Sequence, residues 1–164
     1  MLVGEQPGDV EDRRGRPFVG PAGTLLRELL GEAGIPADGV YLTNAVKHFK
    51  WRPAGKRRIH DKPNASEMRA CGHWLELELV VVAPELVVCL GATAAQALFG
   101  RTARVGALRG RPHAVSPGLP ALVTIHPSAV LRAGDARAER RAELLEDLTL
   151  AARLLAEHVP ALRP

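Results

Sequence analysis

Leu86-Val87-Val88-Cys89-Leu90-Gly91, continued by Ala92-Thr93-Ala94-Ala95-Gln96-Ala97-Leu98, decides the fold class. An apolar run of this length, bounded by Pro84 and Gly91, reads as a buried strand, and Gly91 opens a helix that runs through Leu98. The same switch between short β-type runs and longer helical stretches recurs on both sides. Residues 1–4 read as a strand running directly into Glu5, residues 40–46 as a second strand with Asn44 at its end, and residues 121–125 as an apolar strand delivering His126. Between them, residues 23–33 place Leu25, Leu26, Leu29 and Leu30 on one helical face, stopped by Gly34 and Pro36. Asn64, three residues before Glu67, predicts a capping box for a helix toward Val82, closed by Pro84. Residues 137–158 form a long amphipathic helix with Leu144, Leu145, Leu148, Leu154 and Leu155 inward. Residues 104–115 read as a turn and a weak strand, and residues 47–63, rich in Pro, Gly, Lys and Arg, as a long loop of the kind that usually carries function. Strands alternating with helices predict an α/β domain with a central, mainly parallel sheet. Ligands of such sheets collect at the carboxyl ends of the strands, where Glu5, Asn44 and His126 would converge.

At 164 residues and 46% hydrophobic, the chain is expected to form a single domain over 1–164. A strand that begins with no lead-in suggests a start placed late. No apolar run approaches a membrane span, and no signal peptide is legible, so a cytoplasmic protein without a membrane partner is expected. Two cysteines, Cys71 and Cys89, make no disulfide framework. The net charge is only +4, but the pI near 9.6 and the cations clustered between Lys47 and Arg58 point to an acidic partner.

The densest cationic run is Lys56-Arg57-Arg58-Ile59-His60, which reads either as a solvated loop or as a place where a polyanion brings an electrophile to an imidazole. The loop that follows the first strand carries Gly4, Gly8, Gly15, Gly20 and Gly23 with Pro7, Pro17 and Pro21, which permits close backbone approach to a ligand. Phe18 within it either stacks on a flat base or caps the core beneath its loop. Asn44 offers donor and acceptor together, the pattern that reads a base edge, or it is a turn residue. Lys47, His48 and Lys50 suit a nucleic-acid backbone. His126, before Pro127 and Ser128, either donates to a developing anion or is a satisfied structural histidine. Glu5 and Asp9 either position water and stabilise a cationic sugar or are turn acids.

Together these segments resemble the uracil-DNA glycosylase superfamily, specifically its iron–sulfur family 4 branch, over nearly the whole chain. GEQPGDVED and GRPFVGPAGTLL are similar to the family's first motif and uracil-stacking loop, YLTNAVK to its base-reading strand, and TIHPSAVLR to its last motif. The inserted KRRIH resembles the X subgroup, UdgX, whose members stay covalently attached to the DNA on which they act. The resemblance implies a three-layer αβα fold and a monomer acting on uracil-containing single-stranded DNA, with no protein partner. It implies that Phe18 stacks on the flipped uracil, that Asn44 bonds its edge, and that His126 stabilises the departing uracilate. Glu5, Gln6 and Asp9 would shape the sugar-facing side, with Lys47 among the substrate-binding residues and Ser128 among those that touch DNA. His60 would capture the C1′ cation, Arg58 would hold its loop, and Lys56 and Arg57 would lie near phosphates. Their positive charge would favour an uncharged, nucleophilic imidazole. A [4Fe–4S] cluster belongs to the family. Its later ligand positions correspond to His48 and Cys71, while the two earlier cysteines have no counterpart in this sequence.

An enzyme that acts on a base takes it out of the stack, and the emptied sugar is then a strong electrophile. A tethered imidazole would outcompete water for it. The alternatives are a glycosylase that turns over and releases its product, a non-catalytic nucleic-acid-binding fragment held by Lys and Arg alone, and a metal-dependent hydrolase using Glu5 and Asp9.

Overall fold

Along the chain run β1 (Leu2–Gly4), α1 (Asp9–Arg14), α2 (Pro21–Glu32), β2 (Leu42–Asn44), β3 (Trp51–Ala54), β4 (Arg57–His60) and α3 (Ala65–Val82). The second half adds β5 (Val87–Leu90), α4 (Ala92–Phe99), α5 (Val105–Leu108), β6 (His113–Ser116), β7 (Leu119–Thr124), α6 (Pro127–Leu131) and α7 (Arg137–His158). The structure, a computed structural model, describes residues 1–158.

Five strands form one sheet in the order β2-β1-β5-β7-β6. The first four are parallel, and β6 closes the edge antiparallel to β7. The period of two along the strands sorts the core into two layers. Leu2, Leu86, Val88, Leu90 and Leu122 pack on one side with Leu26, Leu29, Leu30, Val130, Leu144 and Leu148 from α2, α6 and α7. Val3, Val87, Cys89, Ala121 and Val123 pack on the other with Leu75, Ala94 and Ala95 from α3 and α4. This is a three-layer αβα arrangement. Each fully buried leucine in it, Leu26, Leu29, Leu144 and Leu148 among them, contributes roughly 1.5–3 kcal/mol.

Successive connections leave β1 toward opposite edges, first to β2 and then back past it to β5. The crevice at the carboxyl ends of β1 and β5 is therefore the topological switch point, where such sheets bind ligands. Glu5, Gly91 and His126 follow β1, β5 and β7, and Asn44 ends β2.

Four regions depart from the sequence reading. Residues 47–63 are not a continuous loop, because β3 and β4 pair as an antiparallel ribbon through Gly55, whose φ of +59° suits a tight hairpin turn. Neither strand buries a side chain, so no apolar alternation exists to read. The helix α1 falls within the loop read after the first strand, and α6 in a stretch where the sequence reading places no element; they are six and five residues long, too short for a 3.6-residue period to show. Residues 104–115 contain a short helix before the edge strand β6.

Candidate active site

Gly4 is where the site begins. A Cβ built on it would overlap Asn44 Oδ1 and lie 2.7 Å from Phe18 Cζ, so the end of β1 passes directly against both side chains. Both are buried: Phe18 is 3% and Asn44 6% exposed. Phe18 holds a left-handed backbone, φ 55°, which is strained for a residue with a Cβ. It is kept there because Arg27 Nη1 donates to its carbonyl at 2.8 Å and because Gly23 of α2 lies too close to its backbone for any side chain. Phe18 is thus a buried ring beneath β1, not a ring displayed on a polar loop. Gly4→Ala is expected to lower stability by about 1–3 kcal/mol through overpacking. Thermal melting checks this, and an unchanged melt would show that Phe18 and Asn44 can give way.

The cleft at the switch point has a volume of about 560 Å³ and is lined by Glu5, His60, Gly91, His126, Ser128 and Arg132, among others. Asn44 lines an adjoining recess of about 170 Å³, and Glu11 forms a wall of both. Gly91, with φ +91°, lets β5 turn into α4 within van der Waals reach of His126. The His126 ring lies near parallel to Phe18, with centroids 6.1 Å apart and planes at 25°.

His126 caps the N-terminus of α6. Its Nδ1 accepts the backbone N–H of Ser128 at 3.1 Å and the Ser128 hydroxyl at 2.8 Å. An Nδ1 that accepts carries no proton, so the neutral ring bears its hydrogen on Nε2. Burial pushes the ring pKa down from 6.5 to about 4; Glu5 opposes the shift, and Arg132 and His60 add to it. The cleft therefore contains a neutral N–H donor at pH 7. Ser128, which also lines the cleft, serves that tautomer with both its backbone and its hydroxyl.

The linkage has a definite sign. Because the unfolded imidazole takes up its proton near pH 6.5 and the folded one only near pH 4, the unfolded chain binds more protons between those values. Stability from this group is full above pH 6.5 and falls as pH drops toward 4, by up to roughly 3 kcal/mol. Urea midpoints at pH 7.5 and 4.5 should differ less in His126→Gln than in the parent chain. An equal difference would show that His126 is not the group that titrates.

Glu5 stands between two partners. The Thr93 hydroxyl, from α4, donates to Oε2, and His60 Nε2 lies 3.1 Å from Oε1. His60 sits at the end of β4 with its side chain half exposed to the cleft. The ribbon that carries it is tied down at its base. Gln6 is buried and uses its amide on the ribbon, donating to the Lys50 and Asp61 carbonyls and accepting from the Lys50 N–H, each at 3.1 Å. Arg58 bonds Asp9 and, at 2.8 Å, Asp12 of α1, with its guanidinium 5.2 Å from the Phe49 ring and 5.5 Å from that of Trp51. Gln6, which also lines the cleft, and Asp9 are therefore supports of the His60 ribbon. The charge beside His60 is the Glu5 carboxylate, whereas Arg58 is turned to its acids.

Lys47 is likewise diverted. Its ammonium reaches Glu78 at 2.7 Å, the Asn44 carbonyl at 2.8 Å and the Thr43 hydroxyl at 2.9 Å, which uses all three donors of the group, so no N–H remains for a substrate. Lys56 and Arg57 lie at the exposed tip of the ribbon. Cys71 is buried, and its thiol accepts the Lys47 N–H at 3.5 Å, while His48 is exposed. A cubane cluster needs four protein ligands, and among the described residues no group of three or more His, Cys, Asp or Glu is disposed to hold a metal ion. The residues described do not form a cluster site. Cys89 is a strand residue whose thiol burial pushes up to about 12, far from reactivity.

Three site residues went unread in the sequence. Thr93 is a buried hydroxyl in an alanine-rich helix, and nothing local marks it as the orienter of a carboxylate 88 positions away. Asp12 looked like one acid among several in a short polar segment. Arg132 ends the TIHPSAVLR segment and could have been found from its place four residues after Ser128, one helical turn along the wall of the cleft.

The structure is thus an α/β protein with a carboxylate and two imidazoles in one switch-point cleft, adjoined by a small recess lined by Asn44. The family model described as the uracil DNA glycosylase superfamily matches residues 1–149, and the chain belongs to that family. It is 41% identical over 149 residues to a type-4 uracil-DNA glycosylase of Thermotoga maritima, covering 90% of this chain and 73% of that protein. It is 37% identical over 151 residues to a type-4 uracil-DNA glycosylase of Pyrobaculum aerophilum, covering 88% and 74%. A type-5 uracil-DNA glycosylase of Thermus thermophilus is 39% identical over 137 residues, covering 72% of this chain and 58% of that protein. Among the described residues, no helix is long and apolar enough to cross a membrane.

Proposed function

We propose that this protein releases uracil from single-stranded DNA and captures the emptied sugar on His60. The observation that carries the reading is that Glu5, His60 and His126, far apart in sequence, line one cleft at the switch point. Uracil seats over Phe18 with Asn44 at its edge. Admitting the base requires α1 to yield, and α1 buries no side chain of its own. The C1′–N1 bond breaks with its electron pair going to the base, and His126 Nε2–H donates to the oxygen on which that charge collects. Glu5 carries the negative charge that faces the cationic sugar. As His60 Nε2 bonds to C1′, its proton passes to Glu5 and from there to the uracil anion. The products are neutral uracil and an imidazole bonded to DNA through Nε2, with no water consumed. Lys56 and Arg57, exposed at the ribbon tip, supply attraction to phosphates. A cytoplasmic monomer acting without a protein partner fits this reading.

The half-exposed His60 and the open cleft also favour a second reading, in which Glu5 takes a proton from water and the enzyme turns over. Denaturing electrophoresis after incubation with a uracil-bearing single-stranded oligonucleotide separates the two. A heat-stable shifted band supports capture, whereas repeated turnover with no band supports hydrolysis. A thymine-bearing oligonucleotide should give neither.

A further inference from the structure

Trp51 pairs directly with His60 across the β3–β4 ladder. Side chains opposite each other on such a ribbon share a face, with Cβ atoms about 4.5–5.5 Å apart. An indole therefore stands beside the imidazole that borders the cleft. It is 43% exposed, on a strand that buries nothing, so packing of the core does not account for it. Its position is nevertheless well supported. Arg58 lies 5.5 Å from the centre of its ring, and that guanidinium is held in turn by Asp9, Asp12 and Phe49. On the opposite face of the ribbon and at its tip, Arg52, Lys56 and Arg57 are exposed and make no ion pair among the described residues. A supported, half-open aromatic on a ribbon whose other face and tip carry free cations has the makings of a platform for single-stranded nucleic acid, since every base has a face to stack and the nucleic-acid backbone supplies the negative charge.

We propose that Trp51 is a stacking site for the unpaired nucleobase adjoining the uracil nucleotide, so that one face of the ribbon presents both the group that meets C1′ and the group that holds the neighbouring base. This rests on the proposed action on single-stranded uracil-DNA. It predicts a footprint in which the flanking base matters for its presence and flatness and not for its identity.

The chain has two tryptophans, so Trp74→Phe leaves Trp51 as the only indole. In that background, a single-stranded oligonucleotide carrying 2′-fluoro-deoxyuridine, whose fluorine disfavours the sugar cation and prevents cleavage, is titrated by tryptophan fluorescence and by anisotropy of a dye on the DNA. Trp51 emission should be quenched with the same midpoint as the anisotropy change. Replacing the flanking bases with abasic spacers should weaken binding about tenfold and abolish the quenching. Trp51→Leu should weaken binding to the base-bearing DNA by the same factor and lose nothing more with the spacers, while Trp51→Phe recovers most of the loss. Equal affinity for the two DNAs in the parent, or an equal loss on both DNAs in Trp51→Leu, overturns the proposal. Uracil release from ordinary deoxyuridine DNA is measured separately. Release without a flanking-base effect removes the role of Trp51 alone, and failure to release uracil at all removes the glycosylase reading together with this one.

Discussion

His60→Ser should yield no heat-stable protein–DNA band while still releasing uracil. Serine has no ring nitrogen to bond C1′, and its small side chain leaves the space beside Glu5 open to water. Glu5 Oε1, relieved of its 3.1 Å contact with the imidazole, would then be free to take a proton from that water. The parent and the variant thus differ in what attacks the same cation. A tethered group reaches effective concentrations of ~10⁵ M or more, so in the parent the imidazole should outcompete bulk water by roughly 10³-fold. Removing it should convert a single-turnover trap into an enzyme that leaves abasic DNA. Gel electrophoresis reports the adduct, and quantifying free uracil against enzyme reports turnover. A band that persists in His60→Ser would sink the assignment of the nucleophile.

The second large effect lies at the other imidazole. His126→Ala removes the Nε2–H that faces the cleft and should slow uracil release by about 10²–10³-fold, the usual consequence of losing one oriented donor at a developing anion. The loss should appear in single-turnover release, ahead of any capture step, so the adduct forms correspondingly slowly. Because burial holds the ring neutral down to about pH 4, release by the parent should show no break near pH 6.5 attributable to this residue. His126→Gln, which restores an N–H donor, should recover part of the rate. The ring also packs near parallel to Phe18, so melting temperatures accompany the rates to separate lost chemistry from lost packing. An alanine variant within threefold of the parent would mean that the charge on the base is stabilised elsewhere.

The apolar periodicities alone announced the sheet strands at β1, β2, β5 and β7 and the helices α2, α3, α4 and α7, because each buries a continuous face and leaves a regular trace in the sequence. The two turns of chain around Gly4 and His126 were legible as places where backbone and ligand could meet. The β3–β4 ribbon was not, since it buries nothing and is held by Gln6 and, through Arg58, by Asp9, both more than forty residues away. The same long range decided which polar residues face the cleft. Lys47 went to Glu78 and Asp9 to Arg58, while Thr93 came to Glu5.

The buried strands, the long helices and the residue types at the strand ends are written in the sequence. Which of those residues share a cleft, and which neutralise one another, follows from the packed fold. Burial leaves a local period along the chain, whereas an ion pair or an oriented carboxylate depends on two side chains brought within about 3 Å by every fold contact between them.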